Sequence, residues 1–456
     1  MVKILLRQNK IINIIKKQAI IFLILILVLF ILACKKKNVM PFAPSLGTST
    51  FTGTPTVTGT FTPTGSFTQT FTPSFTGTDT PLETFTFTPT VTNTSIPANA
   101  YGGYDVDYAM GIAKTADGGY MVAGLTRSYG AGGADAYLVK IDSAGFHKWE
   151  KFYGDAGDEI FNDIISVYDG NFVAVGSTTS FGSGYLDAYI MKVDATGNCI
   201  WSKSVGGADY DFFDAVIEAA DRSIFAAGAT RSFGTGNYDF YLVKFDKDWN
   251  LNWQKNYNRT GSSLDQAHSI AYSSDGGFLL GGESSSYYYL IKTDFNGAKQ
   301  WEIHNIDFGY STIRCIKRTP DNGYILTGEK KILGTNYDLF LTKINASGSE
   351  VWSYNFGGPY FDTGRRIEVL SDGYLIAGEL GMPTIGDTQC YLVRTDINGG
   401  LLWQKDYGGA LFDTAYGLVR ADDNGYVFAG RTFSFGFGSP GDMLILKTDA
   451  SGNLQW

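Results

Sequence analysis

Seven tryptophans set the frame of this chain. Trp149, Trp201, Trp253, Trp301, Trp352, Trp403 and Trp456 recur at intervals of 48 to 53 residues. Most close one phrase, Lys/Arg-x-Asp/Asn-x-x-Gly-x-x-x-Trp, as in KIDSAGFHKW at 140–149, KVDATGNCIW at 192–201 and KTDASGNLQW at 447–456. The third copy is irregular, with Trp249 in the turn of KFDKDWNLNW. A fixed period of this length marks one supersecondary unit repeated, each unit unable to bury its apolar face alone. Seven phrases predict seven units, beginning near Tyr101, Glu150, Ser202, Gln254, Glu302, Ser353 and Gln404.

Each unit reads as four short strands. The first is an apolar alternation after an acid, as in DYAMGIAKTA, and the second follows a tight turn, as in Asp117-Gly118-Gly119 before YMVAG. The third is the most apolar, as in AYLVKID, and the fourth carries the tryptophan and runs on as WxKxYG. Asp-Gly or Asn-Gly pairs recur at 169–170, 275–276, 322–323, 372–373 and 424–425, and their positive φ angles suit type I′ hairpins. Val, Ile, Tyr and Phe fill the runs between, as half-buried pleated strands require. Repeated radially, these units predict an all-β fold: a seven-bladed β-propeller of four-stranded antiparallel blades over residues 98–456, which leaves only short edges exposed. A β-solenoid competes, but its coils are shorter and its parallel strands need no hairpins. Tyr or a substitute follows the tryptophan by four residues and leads into Gly-Gly, as in Trp403 to Tyr407-Gly408-Gly409. The continuation missing after Trp456 stands at the other end, as Tyr101-Gly102-Gly103. Residues 98–103 are therefore expected beside the last blade, finishing its outer strand and closing the ring.

The region before the repeats has two parts. Lys3, Arg7, Lys10, Lys16 and Lys17 precede an unbroken apolar run from Ala19 to Ala33, and Cys34 follows. That order predicts a secretory signal peptide at 1–33; the run is short of the roughly 20 residues a spanning helix needs. Residues 34–97 include TFTPTGSFTQTFTPSFTGTDTP, and Asp79 and Glu83 are the only charges between 41 and 100. Proline blocks helix, and glycines and hydroxyls offer no core face, so a disordered stalk is expected. A Phe-Thr segment that pairs as β-structure with its neighbours is the sharper alternative. Eight of the 36 Lys and Arg lie in 1–37 and no acid does, so residues 38–456 carry 28 basic against 45 acidic groups, a net −17. So acidic a surface repels phosphate backbones, and nucleic acid is not an expected partner. Cys199, Cys315 and Cys390 fall at different places in different repeats and read as unpaired, mostly buried thiols. His147, His268 and His304 show no metal-ligand spacing and read as surface or packing residues.

Three resemblances follow from these residues. Ile31-Leu32-Ala33-Cys34 resembles the lipobox of bacterial lipoproteins. That implies cleavage before Cys34, its lipidation and membrane anchoring. The tryptophan phrase resembles the docking motif of PQQ-type quinoprotein propellers and of the related lipoprotein in the outer-membrane barrel-assembly machinery. Their Asp-x-x-Thr-Gly turn stands one residue farther from Trp than here, and the vicinal cysteine pair of the quinoproteins is absent. The wider pattern over residues 101–456 is more similar to bacterial secreted propellers with SBBP-like repeats, often lipid-anchored. This resemblance implies fold and an envelope location, and little about activity.

Alternate connections in a propeller emerge on opposite faces. The Asp-Gly and Asp-x-x-Gly turns share one. The other carries longer loops, where function is expected to concentrate: Gly-Gly-x-x-x-Asp between blades, and Ser-Phe/Tyr-Gly within them at Ser128-Tyr129-Gly130, Ser180-Phe181-Gly182, Ser232-Phe233-Gly234 and Ser434-Phe435-Gly436. Two sets of acids recur there, Asp107, Asp211, Asp265, Asp362 and Asp413, and Asp135, Asp187, Asp239, Asp338 and Asp442. They are expected to cap loop amides. Ca²⁺ coordination is the alternative, and no other cofactor is expected. After the second strand's glycine, four blades place Leu125, Ser177, Ala229 and Arg431, whereas blades 4 to 6 place Glu283, Glu329 and Glu379 and lose the Ser-Phe-Gly loop. Two readings stand: three carboxylates lining one sector of a ligand or cation site, or solvated loop charge partnered by Lys330 and Lys331. Without a triad or metal motif, the chain is expected not to be an enzyme. The expectation is a monomeric cell-envelope lipoprotein that displays a propeller outside the cytoplasm as an interaction module for protein or glycan. An envelope-assembly scaffold and a PQQ-like or carbohydrate-active propeller enzyme are the alternatives.

Overall fold

The computed structural model describes residues 99–456 except 235, 260–263, 305–308, 332–335, 384–386 and 437–439. The expected signal peptide, Cys34 and the stalk through residue 98 lie outside the described residues. Blade 1 runs Asp107–Lys114, Tyr120–Thr126, Asp135–Ile141 and His147–Tyr153, each strand antiparallel to the next. Seven four-stranded sheets follow this plan, six of them in simple sequence order. The expected seven-bladed, all-β architecture is therefore found. The first strands touch one another around the ring and enclose a central channel.

The seventh sheet closes the circle. Its first three strands are Asp413–Arg420, Tyr426–Thr432 and Asp442–Thr448, and its fourth is Asn99–Tyr101 from the other end of the repeat region. The register pairs Asn99 with Ile445, Ala100 with Leu444 and Tyr101 with Met443. Alongside, Leu454 bridges Thr448, and the Trp456 carbonyl accepts the Lys447 amide at 2.7 Å. One outer strand is thus assembled from two chain segments, as expected for 98–103, and among the described residues 99–101 carry the pairing. Gly103 turns away and donates its amide to Asp107 at 2.8 Å.

The repeat phrase proves to be a joint between blades. Tyr257 donates to the Gly297 carbonyl of the next blade's turn at 2.7 Å, and Tyr407 does the same to Gly452 at 2.7 Å. Tyr101 supplies this bond for blade 7, reaching Gly145 of blade 1 at 3.2 Å. The tryptophans lie against the same glycines: a Cβ on Gly197 would stand 2.6 Å from Trp149, and one on Gly452 2.9 Å from Trp403. In the irregular third phrase Trp249 takes the glycine's place at φ 69° and packs on Trp201 with ring centroids 5.3 Å apart. Two expectations need correction. The tryptophan is the third residue of a seven-residue outer strand in blade 1, so units beginning near Glu150 and its equivalents cut that strand; the sheet of blade 1 instead starts at the acid Asp107. The Asp-Gly turns are not type I′. In blade 1 the Gly118 amide returns to the Thr115 carbonyl at 3.0 Å and only Gly118 has positive φ, a turn ending in one left-handed residue.

The core is divided rather than single. Seven apolar clusters each join two neighbouring blades; one unites Tyr120, Val139 and Ile141 of blade 1 with Val427, Ile445 and Trp456 of blade 7. The lysine that opens the repeat phrase is buried and paired with the acid of the hairpin turn on the same face: Lys140–Asp117 at 2.9 Å, Lys292–Asp275 at 2.8 Å and, with arginine, Arg394–Asp372 at 2.6 Å. Cys315 and Cys390 are buried free thiols, and Cys199 is an exposed one.

Candidate functional site

Every first strand carries a bulge near its start, seen as a register shift between Ala109 and Gly111 in blade 1 and between Ile313 and Cys315 in blade 5. The extra residue is unpaired and re-aimed, as bulges do beside functional surfaces. Here the bulge positions are Met110, Asn162, Asp214, His268, Arg314, Arg365 and Tyr416, a ring around the channel. From blade 2 to blade 6 their side chains form one polar belt. Asn162 donates to Asp214 at 3.1 Å, and Asp214 meets His268 Nδ1 at 2.9 Å. His268 Nε2 lies 3.3 Å from Arg314 Nη1 and 3.8 Å from Glu283.

The three glutamates stand in this belt, on second strands rather than loops. Arg314 Nε donates to both oxygens of Glu329 at 3.0 and 3.1 Å, and Arg365 holds Glu379 at 2.8 and 3.0 Å. Hydroxyls of the following blade complete two of the carboxylates, Thr312 to Glu283 at 3.0 Å and Thr363 to Glu329 at 2.7 Å. Glu329 and Glu379 are only 5% and 4% exposed, so the expected solvated loop charge beside Lys330 and Lys331 is corrected: an unpaired carboxylate could not remain there, and arginines hold both. Burial works to raise the Glu329 pKa, but Arg314, with Arg365 and Thr363, keeps it below the ordinary range. Burial also opposes charge on His268, yet the hydrogen bonds with Asp214 and Glu283 outweigh it and its pKa is raised. Across the axis, Arg366 of blade 6 lies 3.7 Å from Asp163 of blade 2, whose burial pushes its carboxyl up. Sequence reading missed His268, Arg314 and Arg365. Their signal was present: cations occupy that first-strand position only in the blades that carry the extra glutamate.

The recurrent aspartates are loop caps. Asp211 accepts the Gly207 amide at 2.8 Å and the Ser232 hydroxyl at 2.6 Å, and Asp413 accepts Gly409 and Ser434 each at 2.7 Å. Asp187 takes the Gly184 amide at 2.9 Å within its loop. This explains the Gly-Gly and Ser-Phe-Gly recurrences, and among the described residues no three acids, histidines or cysteines group as a metal site. Asp362 is a cap whose burial pushes its pKa up to about 6.

At the entry to their first strands, before an aspartate or, in blade 5, before Ser311, consecutive blades present large side chains around the channel mouth: Tyr210 is 37%, Leu264 51%, Tyr310 47% and Phe361 39% exposed. Two rings of this rim are stacked from behind, Tyr185 on Tyr210 with centroids 5.7 Å apart and Tyr287 on Tyr310 at 5.7 Å. In blade 7 the equivalent Phe412 lies under Arg431, 4.2 Å from its guanidinium.

No family model and no curated protein matches the chain. Similar solved structures include Sqt1 from Chaetomium thermophilum, 12% identical over 78% of this chain and 86% of that one with a TM-score of 0.44. The Pan2 WD40 domain of Neurospora crassa is 9% identical over 74% and 88%, at 0.47. A puromycin hydrolase is 12% identical over 79% of this chain and 54% of its own length, at 0.48. Nothing about this chain's chemistry follows from them; the blade count stands on the sheet order.

Proposed function

We propose that this chain is a bacterial cell-envelope lipoprotein, anchored through Cys34, that displays its propeller as a non-catalytic binding module for a protein or glycan. The observation that carries the reading is the rim of exposed Tyr210, Leu264, Tyr310 and Phe361 on the long-loop face. Rigid aromatic side chains offer large contact area at little entropic cost and are enriched where proteins bind partners. The channel charges support the non-catalytic part. Glu329 is held by Arg314 and the Thr363 hydroxyl and Glu379 by Arg365, whereas a general acid or base must be free to exchange its proton. The test is a glycan array and an envelope pull-down with residues 96–456, which form one compact unit. Binding lost on replacing Tyr210, Tyr310 and Phe361 with Ser supports the reading. Full binding by that variant, or turnover of a bound sugar, sinks it.

A further inference from the structure

We infer that the loop face grips an acidic glycan, with Arg431 as the contact for a sugar carboxylate; this deepens the binding-module reading and rests on it. Arg431 occupies the second-strand position filled by glutamate in the three preceding blades. Each of those glutamates has a neutralising side chain, His268, Arg314 or Arg365. Blade 7 reverses the charge and leaves it without a counterion. Arg431 forms no ion pair among the described residues, and its Nε is buried with no acceptor. Thr414, opposite it in the register, is fully buried, and no glutamate accepts its hydroxyl. The threonines at the same position in blades 5 and 6 each donate to a glutamate.

Aromatic faces hold the guanidinium instead. It lies 4.6 Å from the Tyr108 ring, 4.2 Å from Phe412 and 5.1 Å from Phe433. Such contacts fix a cation's place without consuming its hydrogen-bond donors, and a guanidinium has five, in a fork that matches a carboxylate. Arg431 is half-buried, so the rest of its fork reaches solvent at the channel mouth. Phe412 belongs at once to this cage and to the aromatic rim. The combination of a fixed, unpaired cation and flat ring faces suits a sugar acid: the carboxylate meets Arg431, and the weakly positive C–H face of the pyranose lies on a ring whose π face is negative. A peptide fits less well. Peptides are held by an unpaired strand edge or an apolar groove, whereas Arg431 presents a charge among ring faces from a second strand that is paired on both sides.

The net −17 of residues 38–456 sharpens the test, because nonspecific attraction of polyanions is not expected. The probes are galacturonic acid oligomers, the same oligomers methyl-esterified, and galactose oligomers, titrated calorimetrically against residues 96–456. The acid oligomers should bind at least about tenfold tighter than the esters, and Arg431→Gln should remove that advantage. Arg431→Lys, which keeps charge but not the fork, should retain part of it, and unchanged melting of both variants shows that they fold. Equal binding of acid and ester, or wild-type affinity in Arg431→Gln, overturns the inference while leaving the binding-module reading intact. Capture of a protein on this face with no oligosaccharide bound does the same. A rim variant lacking Tyr210, Tyr310 and Phe361 that binds every wild-type partner overturns both.

Discussion

At the scale of single residues, the belt around the channel converts a set of costly charges into mutual partners. Glu329 illustrates the stakes. Removing its charge leaves the partly buried Arg314 without its carboxylate, and a broken buried pair costs about 3 kcal/mol. Glu329→Gln should therefore lower stability by about that amount in urea titration, and Arg314→Met in the same chain should restore most of it. His268 adds a pH signature. Its folded pKa is raised above the unfolded 6.5, so its stabilisation is complete below pH 6.5 and is lost as pH rises through the folded pKa. The groups that set this are Asp214 and Glu283, which favour the charged ring, against burial and Arg314. Melting temperature should fall on going from pH 6.5 to 8, and His268→Gln should flatten that slope. Asp362 acts in a separate window: its carboxyl, raised from 3.8 to about 6, gives up stability between those values and adds nothing to the slope above. None of this belt was legible as such. Glu283, Glu329 and Glu379 stood out as exceptions, and His268, Arg314 and Arg365 fell in the same three blades. What joined them was the first-strand bulge, which turns one residue per blade toward the axis and leaves no mark in residue spacing.

At the scale of elements, the repeat phrase works as a wedge and a latch. The tryptophan lies on the glycine of the next turn, and the tyrosine four residues later donates to that glycine's carbonyl. Two alanine substitutions separate the wedge from backbone strain. Gly170 has φ 81° and nothing within 4 Å of an added Cβ, so Gly170→Ala should cost only the left-handed strain of about 1 kcal/mol. Gly452 has φ 74° and a Cβ there would lie 2.9 Å from Trp403, so Gly452→Ala should cost clearly more, measured in the same urea titration. The wedge itself could be foreseen from the sequence because each phrase is local and repeated. The turn type could not. Asp-Gly suggested two left-handed residues, but hydrogen bonding to Thr115 and its equivalents admits one, and in blades 5 and 7 that one is Asn322 and Asn424.

At the scale of the whole molecule, stability depends on closing the ring. The three residues Asn99–Tyr101 cover the third strand of blade 7, and Tyr101 latches that blade to blade 1. A chain starting at Gly102 leaves the edge of Asp442–Thr448 largely uncovered, and free edges invite pairing between molecules. Such a chain should melt lower than residues 96–456 and should self-associate in sedimentation experiments; a monomer of unchanged melting temperature would show that closure contributes little. The sequence by itself determined the number of blades, the strands within them and the segment that closes the circle. Each depends on patterns a few residues long, repeated seven times, and on a tyrosine phrase split between the ends of the repeats. Only the tertiary structure decided which exceptional residues meet. Arg314 and Glu329 are 15 residues apart, Asn162 and Asp214 are 52, and Arg431 and Tyr108 come from opposite ends of the propeller. A ring brings all of them to one axis, and that convergence belongs to the closed circle and to no single repeat.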